Sequence, residues 1–307
     1  MEKAFASSDH RTVVVGVDGT PACPATVEVA VAEAVRRSAR LLIVHAWPGH
    51  YHGPFRVQGP HRGVAQGSRL LTFAAEHAAS VDPGLVVETE LRPGLPGEAL
   101  ADCCRDAGLL VVGHRNGQIN RADWGSTARL LARACPCPLL VHRGRADPRG
   151  PVVVGVSGRP AEPALGYAFA QAVRSGADLV VIHAWRQPPD RAERHPFPVA
   201  RADPQRVAMA EALAGALAEW SWQLPQVPVT SMIVPDLDVP YTLQRASRRS
   251  RLLVAGTGGR GRLTELIGEQ GGRVASHQGL CPVLLVPPDW PVETPAAPHT
   301  TGARVSG

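Results

Sequence analysis

Val13-Val14-Val15-Gly16-Val17-Asp18-Gly19 returns later in the chain as Val152-Val153-Val154-Gly155-Val156-Ser157-Gly158. Other stretches return with it, in the same order. The run from Leu41 to His45-Ala46-Trp47 recurs from Leu179 to His183-Ala184-Trp185, and Leu109-Leu110-Val111-Val112-Gly113 recurs as Leu252-Leu253-Val254-Ala255-Gly256. Cys137-Pro138-Leu139-Leu140 recurs as Cys281-Pro282-Val283-Leu284. The spacing between partners barely drifts, so a whole domain has been duplicated; solenoid units are far shorter, about 20–50 residues. A chain of 307 residues accommodates two such domains, each with a core of its own.

Within each copy, apolar runs of strand length alternate with segments of helical periodicity. In the first half the strands fall at 12–17, 41–46, 85–91, 109–113 and 138–142, with helices around 65–80, 96–107 and 126–134. A further helix after the first strand carries Val27, Ala30, Val31, Ala34 and Val35 on one apolar stripe. The second half repeats the order, with strands near 151–156, 178–184, 227–234, 251–256 and 282–286. Fully apolar strands between helices predict an α/β protein: two tandem open-sheet domains of five mostly parallel strands, with helices on both faces. The expected domains are 1–145 and 151–287. The stretch 143–150 reads as a linker, and 288–307 as a flexible tail with little to bury.

Hydrophobic content of 44% and charged content of 19% describe a globular chain rather than a disordered one. No apolar run approaches the roughly 20 residues that cross a bilayer, and the polar start, 1–11, lacks the apolar stretch of a secretory signal. The expectation is a cytoplasmic protein with no membrane partner. Net charge is +5, carried almost wholly by Arg, since Lys3 is the only lysine. The arginines are scattered, with no basic stripe interleaved with aromatics, so nucleic acid is not an expected partner. None of the six cysteines sits in a paired C-x-x-C arrangement, and His50, His52 and His61 follow no ligand spacing, so no metal site is expected. Cys137 and Cys281 hold equivalent places and read as packing; the neighbours Cys103 and Cys104, and the close pair Cys135 and Cys137, leave a redox role open. His45 and His183, at matched strand ends, read as packed rings with one hydrogen-bonded nitrogen. Trp47 and Trp185 are expected to cover the sheet edge or the face between the copies.

In an open parallel sheet, ligands bind beyond the carboxyl ends of the strands, at the point where strand order reverses. Asp18 directly follows the first strand, and Gly113 ends the fourth. Ser126 and Thr127 start the last helix of the first half, whose free N–H groups and positive dipole end can receive an anion. Glycines at 113, 117 and 125 let backbone amides approach phosphate oxygens, and the Asp18 carboxylate can accept hydrogen bonds from a ribose or a base. Taken alone, this spacing also suits plain turns and a helix-start residue.

The repeated V-G-V-D-G opening, the H-A-W strand end, the glycine loop after the fourth strand and the late C-P-x-L-L strand resemble the universal stress protein domain in its tandem form, over almost all of 11–287. The resemblance implies a Rossmann-like fold of the adenine nucleotide alpha-hydrolase type. It further implies ATP held with Mg2+, and a role in stress response or growth arrest. Family members that bind ATP carry G-x-x-G, nine residues, then G-(S/T). By that pattern Asp18, with Gly16 and Ala46, corresponds to the adenosine contact, and Gly113, Gly125, Ser126 and Thr127 to the phosphate cradle. Asn116 stands where the second glycine belongs, with Gly117 beside it and a loop one residue short. The resemblance also implies an intramolecular pseudo-dimer through the last strands, 139–141 and 283–286; pairing of whole chains as a homodimer is left open.

The second half departs further. Ser157 replaces the Asp, and Glu269-Gln270 stands in place of Gly-Ser although Gly256 and Gly259 are kept. A glutamate about 4 Å from phosphate costs about 1–4 kcal/mol, depending on the local dielectric. The expectation is that the first half holds the nucleotide. Two readings compete: an interaction module that has lost nucleotide binding, and a slow ATPase. Val17-Asp18-Gly19-Thr20 is similar to the haloacid-dehalogenase motif D-x-D-G-T, but Gly16 occupies the place of its nucleophile. The S-G-G-x-D-S loop of an ATP pyrophosphatase is missing as well. No catalytic residue is assigned, so hydrolysis is at most weak.

Overall fold

The computed structural model of the chain describes residues 11–47, 60–113, 126–143, 146–156, 163–185, 204–235, 239–257 and 281–291. In the first half these form β1 (Thr12–Gly16), α1 (Cys23–Arg36), β2 (Arg40–Trp47), α2 (Pro60–Val81), β3 (Val87–Pro93), α3 (Pro96–Cys103), β4 (Leu109–Gly113), α4 (Ser126–Ala134) and β5 (Leu139–His142). The second half runs β6 (Val152–Gly155), α5 (Pro163–Ser175), β7 (Leu179–Trp185), α6 (Pro204–Gln223), β8 (Val229–Pro235), α7 (Val239–Ala246), β9 (Leu252–Gly256) and β10 (Val283–Val286). A short 3-10 turn, Ser247–Arg249, follows α7.

The two expected sheets are fused into one. Its ten strands run β3-β2-β1-β4-β5-β10-β9-β6-β7-β8. Every pairing within a half is parallel, and the seam between halves, β5 with β10, is antiparallel, with Leu140 opposite Leu284. Central strands are apolar throughout because helices cover both faces: Val13, Val14, Leu109, Leu110, Val152 and Leu253 are all buried. The chain moves one way from β1 to β2 and the other from β3 to β4. Right-handed crossovers therefore put α1 and α2 on one face and α3 and α4 on the other. Edge strand β3 exposes Glu88, a charge that discourages further pairing, while Glu90 is half-buried.

Several expectations change on inspection. Val35 lies outside the apolar stripe and is 47% exposed, whereas Glu33 is only 6% exposed. Helix α1 turns that flank towards α5 of the other half, where Glu33 accepts from Arg36 at 2.6 Å, Arg37 at 3.2 Å and Gln171 Nε2 at 3.3 Å. Arg37 also donates to the Tyr167 hydroxyl at 2.7 Å. Burial pushes the Glu33 carboxyl up, but Arg37 and then Arg36 outweigh it and hold the group below the usual carboxylate range. The described part of the linker is docked. Arg143 is buried and donates to the Cys281 carbonyl at 3.2 Å, and the Asp147 amide donates to Ser250 O at 3.2 Å. Trp47 packs against Gly63 of α2, not between the halves. The start of the expected tail is anchored, since Trp290 is buried and its amide donates to Pro287 O at 3.2 Å; beyond 291 the tail lies outside the described residues.

Gln171 is the counterpart of Glu33 in the duplicated sequence, and the two side chains meet across the seam. An amide there donates where a second carboxylate would repel. Gln171→Glu is therefore expected to lower stability at neutral pH by about 1–4 kcal/mol. The deficit should shrink on acidification, as one of the facing carboxyls takes up a proton. Urea unfolding at neutral and mildly acid pH measures both.

Candidate functional site

Strand order in the first half reverses between β1 and β4, and a cavity of about 250 Å3 opens at their carboxyl ends. Gly16, Val17 and Asp18 line it from the β1–α1 turn, His45 and Ala46 from β2, and Val112 and Gly113 from β4. Cys23 and Thr26 of α1, Pro96 and Leu100 of α3, and Thr127 and Ala128 of α4 close it. The walls are mostly apolar, with a few polar groups at the rim and floor, the usual make-up of a small-molecule cleft.

The turn that carries Asp18 is held locally. Asp18 Oδ1 accepts from the Thr20 amide at 3.0 Å, and Gly19 between them takes φ +73°, a left-handed conformation that favours glycine. The carboxylate stays exposed at the mouth of the cavity. Burial pushes the Cys23 thiol up, and the Asp18 charge adds to the rise, so this cysteine stays neutral.

Below Gly113 lies a polar pair. The Thr26 hydroxyl donates to Ala22 O at 3.1 Å; with its single proton so placed, it accepts from His142 Nδ1–H at 3.1 Å. A Cβ on Gly113 would stand 2.8 Å from Thr26 Oγ1, so only glycine brings the end of β4 this close to α1. On the other flank, His45 donates from Nδ1 to the Val17 carbonyl at 2.8 Å, since a carbonyl can only accept. The ring is thus fixed with one bonded nitrogen, and it also faces the cavity.

Of the residues singled out in the sequence, Gly16, Asp18, Ala46, Gly113 and Thr127 share this one cavity. Ser126 opens α4. Asn116, Gly117 and Gly125 lie outside the described residues, as do Ser157, Gly259, Glu269 and Gln270 of the second half. Sequence reasoning missed Thr26 and His142. The available signal was a hydroxyl next to the apolar stripe of α1 and a lone imidazole at the end of an apolar strand. In the second half the same places hold Ala164 and Val286, both buried, so the polar pair belongs to the first half alone.

A doubly wound parallel sheet with a cleft at its switch point defines the class of open-sheet α/β proteins, and comparison narrows it. The universal stress protein family model matches residues 10–143 and again 148–287, so the chain belongs to the universal stress protein family. A universal stress protein of Mycolicibacterium smegmatis is 30% identical over 303 residues, covering 92% of this chain and 99% of that one. One from Mycobacterium tuberculosis is 29% identical over 291 residues, covering 89% and 96%. The crystal structure of a universal stress protein from Archaeoglobus fulgidus superposes with a TM-score of 0.65 at 13% identity, covering 92% of this chain and 97% of that one, which shows the shared fold. Among the described residues, no helix is long and apolar enough to cross a membrane.

Burial, opposed by Glu28, holds the His142 imidazole below its ordinary value of 6.5. The neutral ring is the folded form, so its contribution is present above 6.5 and is lost as the pH falls below it. Thermal melts from neutral pH to about 5 should show that decline, and His142→Leu should flatten it relative to wild type.

Proposed function

We propose that the chain is an adenine-nucleotide-binding regulator of stress response or growth arrest, acting in the cytoplasm, with ATP and Mg2+ held by the first half. The observation that carries this is the convergence of Asp18, Gly113 and Thr127 on one cavity at the sheet's switch point. At about 250 Å3 it lies near the lower end of small-molecule clefts, and it suits the adenosine part of a nucleotide. Asp18 accepts from the ribose or base. The bare backbone at Gly113 and the start of α4 receive phosphate, with Ser126 and, by family resemblance, Asn116, Gly117 and Gly125. Bound Mg2+ would offset phosphate charge. The second half, lacking the Thr26–His142 pair and the Asp18 carboxylate, serves the pseudo-dimer instead.

Titration of the purified full chain with ATP and Mg2+ by calorimetry tests this. One nucleotide per chain is expected. Asp18→Asn keeps an oxygen for the Thr20 amide but loses the charge, and should weaken binding about tenfold or more. Two equivalent nucleotides per chain would contradict the assignment to the first half. No binding at millimolar ATP would leave an interaction module in place of a nucleotide sensor.

A further inference from the structure

At the opposite, amino-terminal end of the first-half strands, three thiols converge. Cys104 ends α3, Cys135 follows α4, and Cys137 precedes β5. Their Sγ atoms all lie within 4.8 Å of one another, and Cys135 and Cys137 are 3.6 Å apart. Cys104 and Cys137 are buried, while Cys135 is partly exposed. We propose that Cys104, Cys135 and Cys137 form a three-thiolate site for a soft d10 metal ion, Cu(I) or Zn(II), remote from the nucleotide cavity.

Four observations carry this. The first is spacing. Metal–sulfur bonds of about 2.3 Å place thiolates about 3.8–4.0 Å apart, so the cluster needs only small side-chain adjustments to close on an ion. The second is ligand chemistry. Among the described residues the group contains no imidazole or carboxylate, and an all-sulfur set selects thiophilic metals over Mg2+ or Ca2+. The third is local electrostatics. Cys104 and Cys135 lie at helix C-terminal ends, whose partial negative charge favours a cation. As the three sulfur–metal bonds form, the three thiol protons leave to solvent, and no electrons change hands.

The fourth is the internal control that duplication provides. Cys137 has a cysteine counterpart, Cys281, but Cys104 is matched by Ser247 and Cys135 by Gly279. The one shared cysteine packs in both halves, and burial pushes the Cys281 thiol up to about 12. The two thiols that complete the cluster occur only in the first half. Packing alone would not need three.

The test uses reduced, metal-free full chain under anaerobic conditions. One sample is titrated with Cu(I) against a colorimetric Cu(I) chelator, another with Zn(II) against a zinc dye. One ion per chain is expected in at least one arm, with three sulfur ligands by X-ray absorption. Three-coordination identifies the Cu(I) form; a fourth, oxygen ligand on the exposed side of Cys135 identifies the Zn(II) form. Cys135→Ser should weaken binding at least about 100-fold. Cys103→Ser, whose side chain turns instead to Glu90, should leave it unchanged. Should Cys135→Ser fail to fold, the sulfur count in the wild type decides. Retention of neither ion, binding untouched by Cys135→Ser, fewer than three sulfur ligands, or oxidation to a Cys135–Cys137 disulfide in place of metal binding would each overturn the proposal.

Discussion

The antiparallel pairing of β5 with β10 is the contact on which the molecule is built. Leu139, Leu140 and Val141 are buried, with Val283, Leu284 and Leu285 alongside them. Either half alone would end in a bare, apolar edge strand, an invitation to uncontrolled pairing. Joined, the halves leave β3 and β8 as the edges among the described residues. The pairing also fixes orientation. Strands within each half are parallel and the seam reverses direction, so the carboxyl ends of the two halves point to opposite ends of the sheet. The Asp18 cavity therefore opens at one end, and the three thiols gather at the other.

Above the seam, the Glu33 cluster shows what fusing two copies permits. In a symmetric dimer of identical domains, a residue near the twofold axis meets itself, and two buried glutamates there would repel. In this chain the counterpart of Glu33 is Gln171, which donates to it, while Arg36, Arg37 and Tyr167 complete the network. The same freedom appears elsewhere. Thr26 and His142 became Ala164 and Val286, and Cys104 became Ser247, or the reverse. The frame is shared because both halves need it to bury the sheet. Polar and thiol groups differ where each half has its own chemistry.

Much of this was legible from residue order. The apolar runs located each strand to within two or three residues, since a strand covered on both faces leaves little choice of side chain. The meeting of Asp18 and Gly113 at the switch point was legible because each directly follows the strand that flanks it. What periodicity could not show were contacts between distant segments. Nothing in the spacing of Glu33 says that α5 will cover it, and Val35 read as part of the apolar stripe although it is exposed. The thiol cluster escaped for the same reason: Cys104 is far in sequence from Cys135, and ligand-spacing rules look for neighbours. Arg143 read as part of a linker, yet it is held by a carbonyl from the far half.

We propose a division of labour: the cavity in the first half receives the nucleotide, and the second half supplies the frame. Amide hydrogen exchange of the full chain, with and without ATP and Mg2+, tests it most directly. The account predicts new protection at residues 16–26 and at Val112 and Gly113, with residues 152–156 and 252–257 unchanged. Equal protection at both sets, or protection at the second set alone, would contradict it.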